Sequence, residues 1–406
     1  MAHHQLDKLL SHNSQSFTLI EMLITVAIIA VLMTVVVLAI NPTEITKKAR
    51  DTQRLTDMAN LEMLLQLARS EGMLNTSYCD GTKIYASLPS ETPLSNNNLP
   101  AGISWAQVSE DKIRNADGTG WIPLNFKSLN YLQTSVLPVD PKNSLDNSLY
   151  YTFYCNPQRE YILTAYPESQ TFGPKGGKDS KTIGDGGPDP YVYEVGNNLF
   201  ISPLKPVSSW SFDEGAGTIA NDSSGNNNTG TLYGGPTWTD GQINKALSFD
   251  GTDDYVDCGN NESLNITNAI TIEAWAKGER DASLIQFYPS IILLHFRGAG
   301  FYLTAEDNTS SGYLSWNPSP PLNQYVFLTA TWDGQIMKLY QNGIQQNTTR
   351  IFLGGSTGKL KISSNKWIGH YFNSGQPWFK GLIDEVRIYN RALSAEEIKR
   401  HYEMSK

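Results

Sequence analysis

Residues 17–40 read FTLIEMLITVAIIAVLMTVVVLAI, and this stretch decides what the chain is built around. At about 1.5 Å per residue its 24 residues make a helix of roughly 36 Å, against a hydrocarbon core of roughly 30 Å. Met22 to Ile40 runs without a single charge. A soluble core helix rarely needs such a run, so the length predicts a transmembrane helix over 17–40. Glu21 interrupts the pattern near its start. A carboxylate inside lipid costs at least a few kcal/mol unless it is paired. It therefore either lies at the headgroups or waits for a positive partner in an assembly.

The flanks raise a second difficulty. Met1 to Ser16 carries one Lys and one Asp, whereas Lys47, Lys48, Arg50 and Arg54 follow the apolar run. The positive-inside rule alone would keep the downstream part in the cytoplasm. A secretory signal peptide fits no better, because the run is too long and no small-x-small site follows it.

A polar leader, the small residue Ser16 and then Phe17-Thr18-Leu19-Ile20-Glu21 resemble the processing site of type IV pilins and type II secretion pseudopilins. The resemblance implies a leader, 1–16, cut between Ser16 and Phe17 by a prepilin peptidase that also methylates the new amine. The family usually has Gly where this chain has Ser16. It further implies that Phe17 and Glu21 serve assembly, the glutamate meeting the terminal amine of a neighbouring pilin subunit. The protein would then sit in the inner membrane with its C-terminal part exported, and assemble into a surface filament.

Asn41-Pro42 ends the apolar run, and Met58, Leu61, Leu65 and Ala68 resume helical spacing up to Gly72. Leu149–Tyr154 and Tyr161–Tyr166 predict a hairpin. The resemblance makes 41–202 a pilin-like α+β domain, and Leu137-Pro138-Val139-Asp140-Pro141 is similar to the approach to the sheet in major pseudopilins. Cys79 and Cys155 are expected to form a disulfide there, leaving Cys258 free. Asp179, Asp185 and Asp189 lie in a Gly-rich loop that reads better as solvated than as a calcium cradle.

Pro203 and Pro206 bracket an expected linker, 203–206, and from 207 to 406 short strands alternate with Gly/Asn/Asp turns. This pattern predicts an all-β antiparallel sandwich. The stretches WSFDEG (210–215), DSSGNNN (222–228), FDG (249–251), WDG (332–334) and GLIDEVRIYNRALS (381–394) resemble the concanavalin A-like, laminin-G-type jelly roll. Such domains bind glycans or proteins, often with Ca²⁺. Alternation along 382–388 puts Asp384 on the face of Val386 and Ile388, where a carboxylate requires a cation or several donors. A calcium set of Asp222, Asn226, Asn228 and Asp384 is the expectation, and an Asp384 satisfied by loop amides is the alternative. Trp316, Trp367, Tyr371 and Trp378 are the loop-adjacent aromatics able to stack on a sugar, while Trp210 and Trp275 read as core.

The net charge of -9 argues against a nucleic-acid partner. No E-x-D-x-x-E pattern is present, and the histidines are scattered. Gly354-Gly355-Ser356-Thr357-Gly358 matches a nucleophile elbow in letters, but a strand rather than a helix is expected after it. The sequence therefore points to a non-enzymatic filament subunit, minor or at the tip, that displays a lectin-like adhesive module. A pseudopilin of a secretion or DNA-uptake machine is the alternative, and a surface glycosidase a weaker one.

Overall fold

In the computed structural model the structure describes residues 18–132, 134–288, 292–297, 300–361, 365–370 and 378–406. The chain divides into two compact units, residues 1–49 and 50–406.

In the first unit Thr18 caps helix α1, Leu19–Ile40. The Thr18 hydroxyl accepts from the Glu21 amide, and Glu21 Oε2 accepts from Thr18 N at 2.9 Å, a reciprocal box. Glu21 thus caps its own helix. The cleavage pair Ser16 and Phe17 lies outside the described residues. Asn41 closes α1 in the left-handed region, φ 45°, and Pro42 opens helix α2, Pro42–Ser70.

Among the described residues no helix is long and apolar enough to cross a membrane, so the membrane span expected over 17–40 is not met there. The apolar side chains of α1 are more than half exposed from Leu19 to Met33.

In the second unit the apolar face of α2 (Met58, Leu61, Leu65, Ala68) is fully buried. It packs in one core with Tyr151 and with Phe153, Tyr161 and Leu163 of a five-stranded sheet. Gly72, φ 73°, turns the chain out of α2, and its own amide donates to the Arg69 carbonyl. In the sheet Thr152–Cys155 pairs antiparallel with Tyr161–Ala165, Thr152 opposite Thr164, as the expected hairpin requires. A disulfide joins Cys79 to Cys155, and Cys258 is free and buried. Near the middle of α2, Arg54 is buried among carboxylates. It reaches Asp140 through two bonds of 2.6 and 2.8 Å, Asp51 at 2.7 Å and Glu168 at 2.9 Å. Burial opposes its charge, but Asp140, Asp51 and Glu168 together raise its pKa.

Among the described residues the sandwich consists of two sheets of eight strands. The first runs Ile344–Ile351, Ile336–Gln341, Val326–Trp332, Ile270–Gly278, Lys380–Tyr389, Lys245–Asp250, Thr237–Asp240, with Ser208–Trp210 also paired to Lys380–Tyr389. The second runs Ser311–Leu314, Phe301–Thr304, Ile292–His295, Ser283–Tyr288, Asn365–Ile368, Tyr255–Asp257, Gly230–Tyr233, Ile219–Ala220. A single apolar core lies between them, with Trp210, Trp332, Phe287, Ile272 and Val386 inside it. Helix α3, Ala395–Ser405, is capped by a reciprocal Ser394/Glu397 box. Its Ile398 joins Trp275, Phe327 and Tyr389 on the outer face of the first sheet.

The prolines at 203 and 206 do not bracket a free linker. The Leu204 carbonyl accepts from Arg391 Nη2 at 3.1 Å, and Lys205 Nζ donates to the Ser224 carbonyl at 2.7 Å. Tyr191 inserts between Arg387, which donates to its hydroxyl at 2.8 Å, and the His401 ring, stacked with centroids 4.3 Å apart. The α2 and five-stranded-sheet region and the sandwich are therefore joined by buried polar contacts within one compact unit.

Candidate functional site: an aromatic face on the second sheet

Strand alternation builds this site. Leu232, Val256 and Ile368 point into the sandwich core. Their neighbours Tyr233, Tyr255 and Trp367 therefore stand on the opposite, outer face of the second sheet. The register sets Tyr255 opposite Tyr233 and Asp257 opposite both Thr231 and Trp367. Tyr233 is 47% exposed, and Tyr255, Trp367, His370 and Trp378 are each partly exposed.

The rings touch one another. Tyr233 and Tyr255 lie nearly parallel at 5.1 Å. His370 meets Tyr255 at 5.3 Å, Trp367 at 4.5 Å and Trp378 at 4.3 Å, and Trp378 lies 6.1 Å from Tyr255. Burial lowers the His370 pKa, which favours the neutral imidazole. Arg280 fixes the rim: Nη2 donates to the Trp378 carbonyl at 2.8 Å and to the Gly251 carbonyl at 2.5 Å. Gly251 takes φ 84° in that turn, a conformation open to glycine.

That turn carries Asp250, Asp253 and Asp254, whose carboxylate oxygens lie within 4.8 Å of one another. Asp250 and Asp253 are exposed, and the buried Asp254 accepts from the Asp250 amide at 2.8 Å. Burial raises the Asp254 pKa, and the charges of Asp250 and Asp253 add to the rise. This trio is the one acidic group among the described residues with metal-ligating spacing.

The calcium set expected from the sequence is not assembled. Asp222 Oδ1 accepts from Ser209 N and Ser224 N, and Oδ2 from Ser224 Oγ and Asn228 N. Asn226 and Asn228 turn their side-chain amides to the Val207 carbonyl, and the Asn228 carboxamide oxygen accepts from Ser263. Asp384 is held elsewhere, by the amides of Gln242 (2.9 Å) and Ile243 (3.0 Å). Asp222, Asn226 and Asn228 are engaged within their own loop, and Asp384 is held by a different segment, so the four are not brought together as a shared Ca²⁺ site.

A β-bulge accounts for the misplacement of Asp384. The register between Ile270–Gly278 and Lys380–Tyr389 shifts between Glu273 and Trp275, and Glu385 has φ 54°. Ile383 and Val386 both face the sandwich core, so alternation breaks between them and Asp384 does not share the face of Val386. Asp384 is fully buried and its Oδ1 has no hydrogen-bond partner. Burial, with the charge of Glu385, raises its pKa strongly.

Of the four expected sugar-stacking aromatics, Trp367 and Trp378 stand on the outer face. Tyr371 lies outside the described residues. Trp316 does not belong to the set: it is 4% exposed and packs in the sandwich core, against a position where Gly300 leaves room for its indole. Sequence reasoning missed Tyr233, Tyr255 and His370, although the alternation Tyr255-Val256-Asp257 was a usable signal for one of them. Trp210 and Trp275 are buried as expected. The Gly354–Gly358 segment is a turn in which Lys359 N donates back to the Gly354 carbonyl. Among the described residues after it, Leu360 bridges antiparallel to Ala305, and Ile362 and Ser363 of the strand expected there lie outside the described residues.

Comparison with known proteins places both ends of the chain. Residues 250–399 match the family model of the concanavalin A-like lectin/glucanases superfamily, of laminin-G type. Residues 11–37 match the prokaryotic N-terminal methylation motif. The chain thus joins a prepilin-type methylation motif to a laminin-G-type sandwich, and the motif implies processing by a prepilin peptidase and assembly with other pilins.

No curated protein matches the chain. Among solved structures it is similar to domain 4 of the extracellular arabinanase AbnA from Geobacillus stearothermophilus, in complex with arabinotriose. The two share 24% identity over 50% of this chain and 98% of that one, with a TM-score of 0.38. It is also similar to the binding domain of Paraclostridial Mosquitocidal Protein 1 (17% identity, 48% of this chain and 51% of that chain, TM-score 0.41). A third is the ligand binding domain of botulinum neurotoxin serotype D in complex with N-acetylneuraminic acid (17%, 49% and 50%, TM-score 0.38). The chain spans about half the length of these two toxin domains.

Proposed function

We infer that the protein is a subunit of a type IV pilus-like filament that carries a glycan-binding module. The observation that supports binding is the outer aromatic face formed by Tyr233, Tyr255, Trp367, His370 and Trp378, which is partly solvent-accessible and braced by Arg280. Aromatic faces stack on the C–H faces of sugars and exclude water from the contact, the same payload that makes such rings dominate interfaces. At the other end the exposed apolar surface of α1 requires a cover, which neighbouring α1 helices in a filament and the inner membrane before assembly would supply. The sandwich is bulky, and its fixed attachment to the α2 region favours a minor or tip subunit over a densely repeated one. A pseudopilin within a secretion or DNA-uptake machine is the second reading, supported by the same methylation motif.

Filaments sheared from cells and probed on a glycan array test the proposal. Wild-type filaments are expected to retain glycans, and filaments carrying Trp367→Ala to lose at least tenfold in affinity with the sandwich still folded. Equal retention by both would remove the aromatic face from the function. Labelling with antibody to the sandwich separates tip from shaft.

A further inference from the structure

The charges around the aromatic face restrict what can dock there. Asp257 stands directly across from Trp367, and Asp250, Asp253 and Asp254 occupy the turn immediately before Tyr255. Asp250 and Asp253 are exposed and Asp257 is partly so. Asp257 Oδ1 accepts from the Gly259 amide at 2.9 Å, which holds the carboxylate on this rim without cancelling its charge.

The nearby cations are committed. Lys366 is the neighbour of Trp367, but it points to the other face, fully buried, and its ammonium donates to Asn260 and Asn265 at 2.8 and 3.2 Å. Lys380 lies opposite Asp250 and is paired with Glu279 at 2.9 Å. Arg280 spends its guanidinium on the carbonyls of Gly251 and Trp378. His370 is pushed toward its neutral form. The face therefore combines stacking surface with four carboxylates and one guanidinium that is already occupied.

From this juxtaposition we propose that the aromatic face selects uncharged saccharides and rejects glycans ending in a carboxylate, such as sialic or uronic acids. The proposal rests on the glycan-binding reading above and adds the ligand's charge class to it. An anionic sugar stacked on Trp367 would bring its carboxylate within a few ångströms of Asp257, well inside the Debye length of roughly 10 Å at 0.1 M salt. Like-charge juxtaposition of this kind suppresses wrong partners more than it changes the fit of right ones.

The test is titration of the full-length, detergent-solubilised chain with pairs of array glycans that share a neutral core and differ by one terminal sialic or uronic acid. At 25 mM salt the neutral member of each pair is expected to bind at least tenfold more tightly. The gap should narrow by half an order of magnitude or more at 300 mM salt, where charges are screened. Asp257→Asn with Asp253→Asn should close most of the low-salt gap. Acidic members that bind as tightly as neutral ones would overturn the charge selection while leaving glycan binding intact. The opposite failure is distinguishable: no bound glycan, or unchanged neutral binding in both Trp367→Ala and the conservative Trp367→Phe, removes the aromatic face itself. Binding restored by Trp367→Phe and lost in Trp367→Ala keeps the face as the site even if the alanine variant is less stable.

Discussion

Arg54 in the α2 region and Asp384 in the sandwich are buried charges satisfied to opposite degrees. In the α2 region one guanidinium, Arg54, gathers three carboxylates, and a disulfide ties Cys79 to Cys155 behind the same core. That core is a single helix on a five-stranded sheet, and a small core leaves less apolar burial to set against chain entropy. The sandwich closes its larger core with two eight-stranded sheets, and its cysteine, Cys258, is unpaired. Yet it buries Asp384 with one oxygen unsatisfied. The sandwich has buried pairs of its own, such as Arg391 with Glu397 at 2.8 Å, so the contrast lies between these two residues and their partners.

The strongest way to break this contrast is to remove Arg54. Arg54→Ala leaves Asp140 and Asp51 buried without their cation, a change that costs about 3–5 kcal/mol in comparable buried pairs. Urea unfolding is expected to show that loss. A cost under 1 kcal/mol would mean the carboxylates find water instead, and the network would no longer count as a tie.

The disulfide comes next. It encloses a separation of 76 residues, and the double variant Cys79→Ser, Cys155→Ser is expected to lose about 2–4 kcal/mol. Thermal unfolding with and without reductant reads it, and wild type should become sensitive to reductant while the double variant does not. Insensitive wild-type protein would contradict the assignment.

The smallest effect sharpens the comparison through pH. Burial opposes the Glu168 charge, but Arg50 and Arg54 outweigh it and lower the pKa, so the contribution of Glu168 is present above the unfolded carboxylate range and is lost as pH falls through the folded value. Asp384 is shifted upward by burial and by Glu385, so it costs nothing at low pH and destabilises progressively as pH rises above the unfolded range. Asp384→Asn retains an oxygen for the Gln242 and Ile243 amides and removes the charge. It is expected to stabilise by on the order of 1–2 kcal/mol at pH 8 and to be near neutral at pH 4. A variant that is destabilised at pH 8 would show that Asp384 is ionised and usefully paired.

Three features were readable along the chain because each depends on residues a few positions apart. They are the apolar run of α1, the Asn41-Pro42 break after it, and the Met58–Ala68 face of α2. The strand content of the sandwich and the Thr152–Ala165 hairpin follow equally from alternation and turn residues. The methylation motif is likewise a contiguous string, and it fixed the processing and assembly expectations without any fold.

What sequence could not supply depends on strand order and register. Arg54 meets Asp140 across 86 positions, and Asp384 meets the Gln242 amide across 142. Trp367 joins Tyr255 and Tyr233 only because three strands distant in sequence lie side by side in the second sheet. A single bulge at Glu385 reversed the face assigned to Asp384, because side-chain direction alternates with a period of two and one extra residue inverts it. Local periodicity determined the elements of this protein. Its aromatic face, its ion network and the fate of its buried carboxylates were decided by which elements became neighbours, since pairing distant strands is set by the packing of the whole core and leaves no short-range mark.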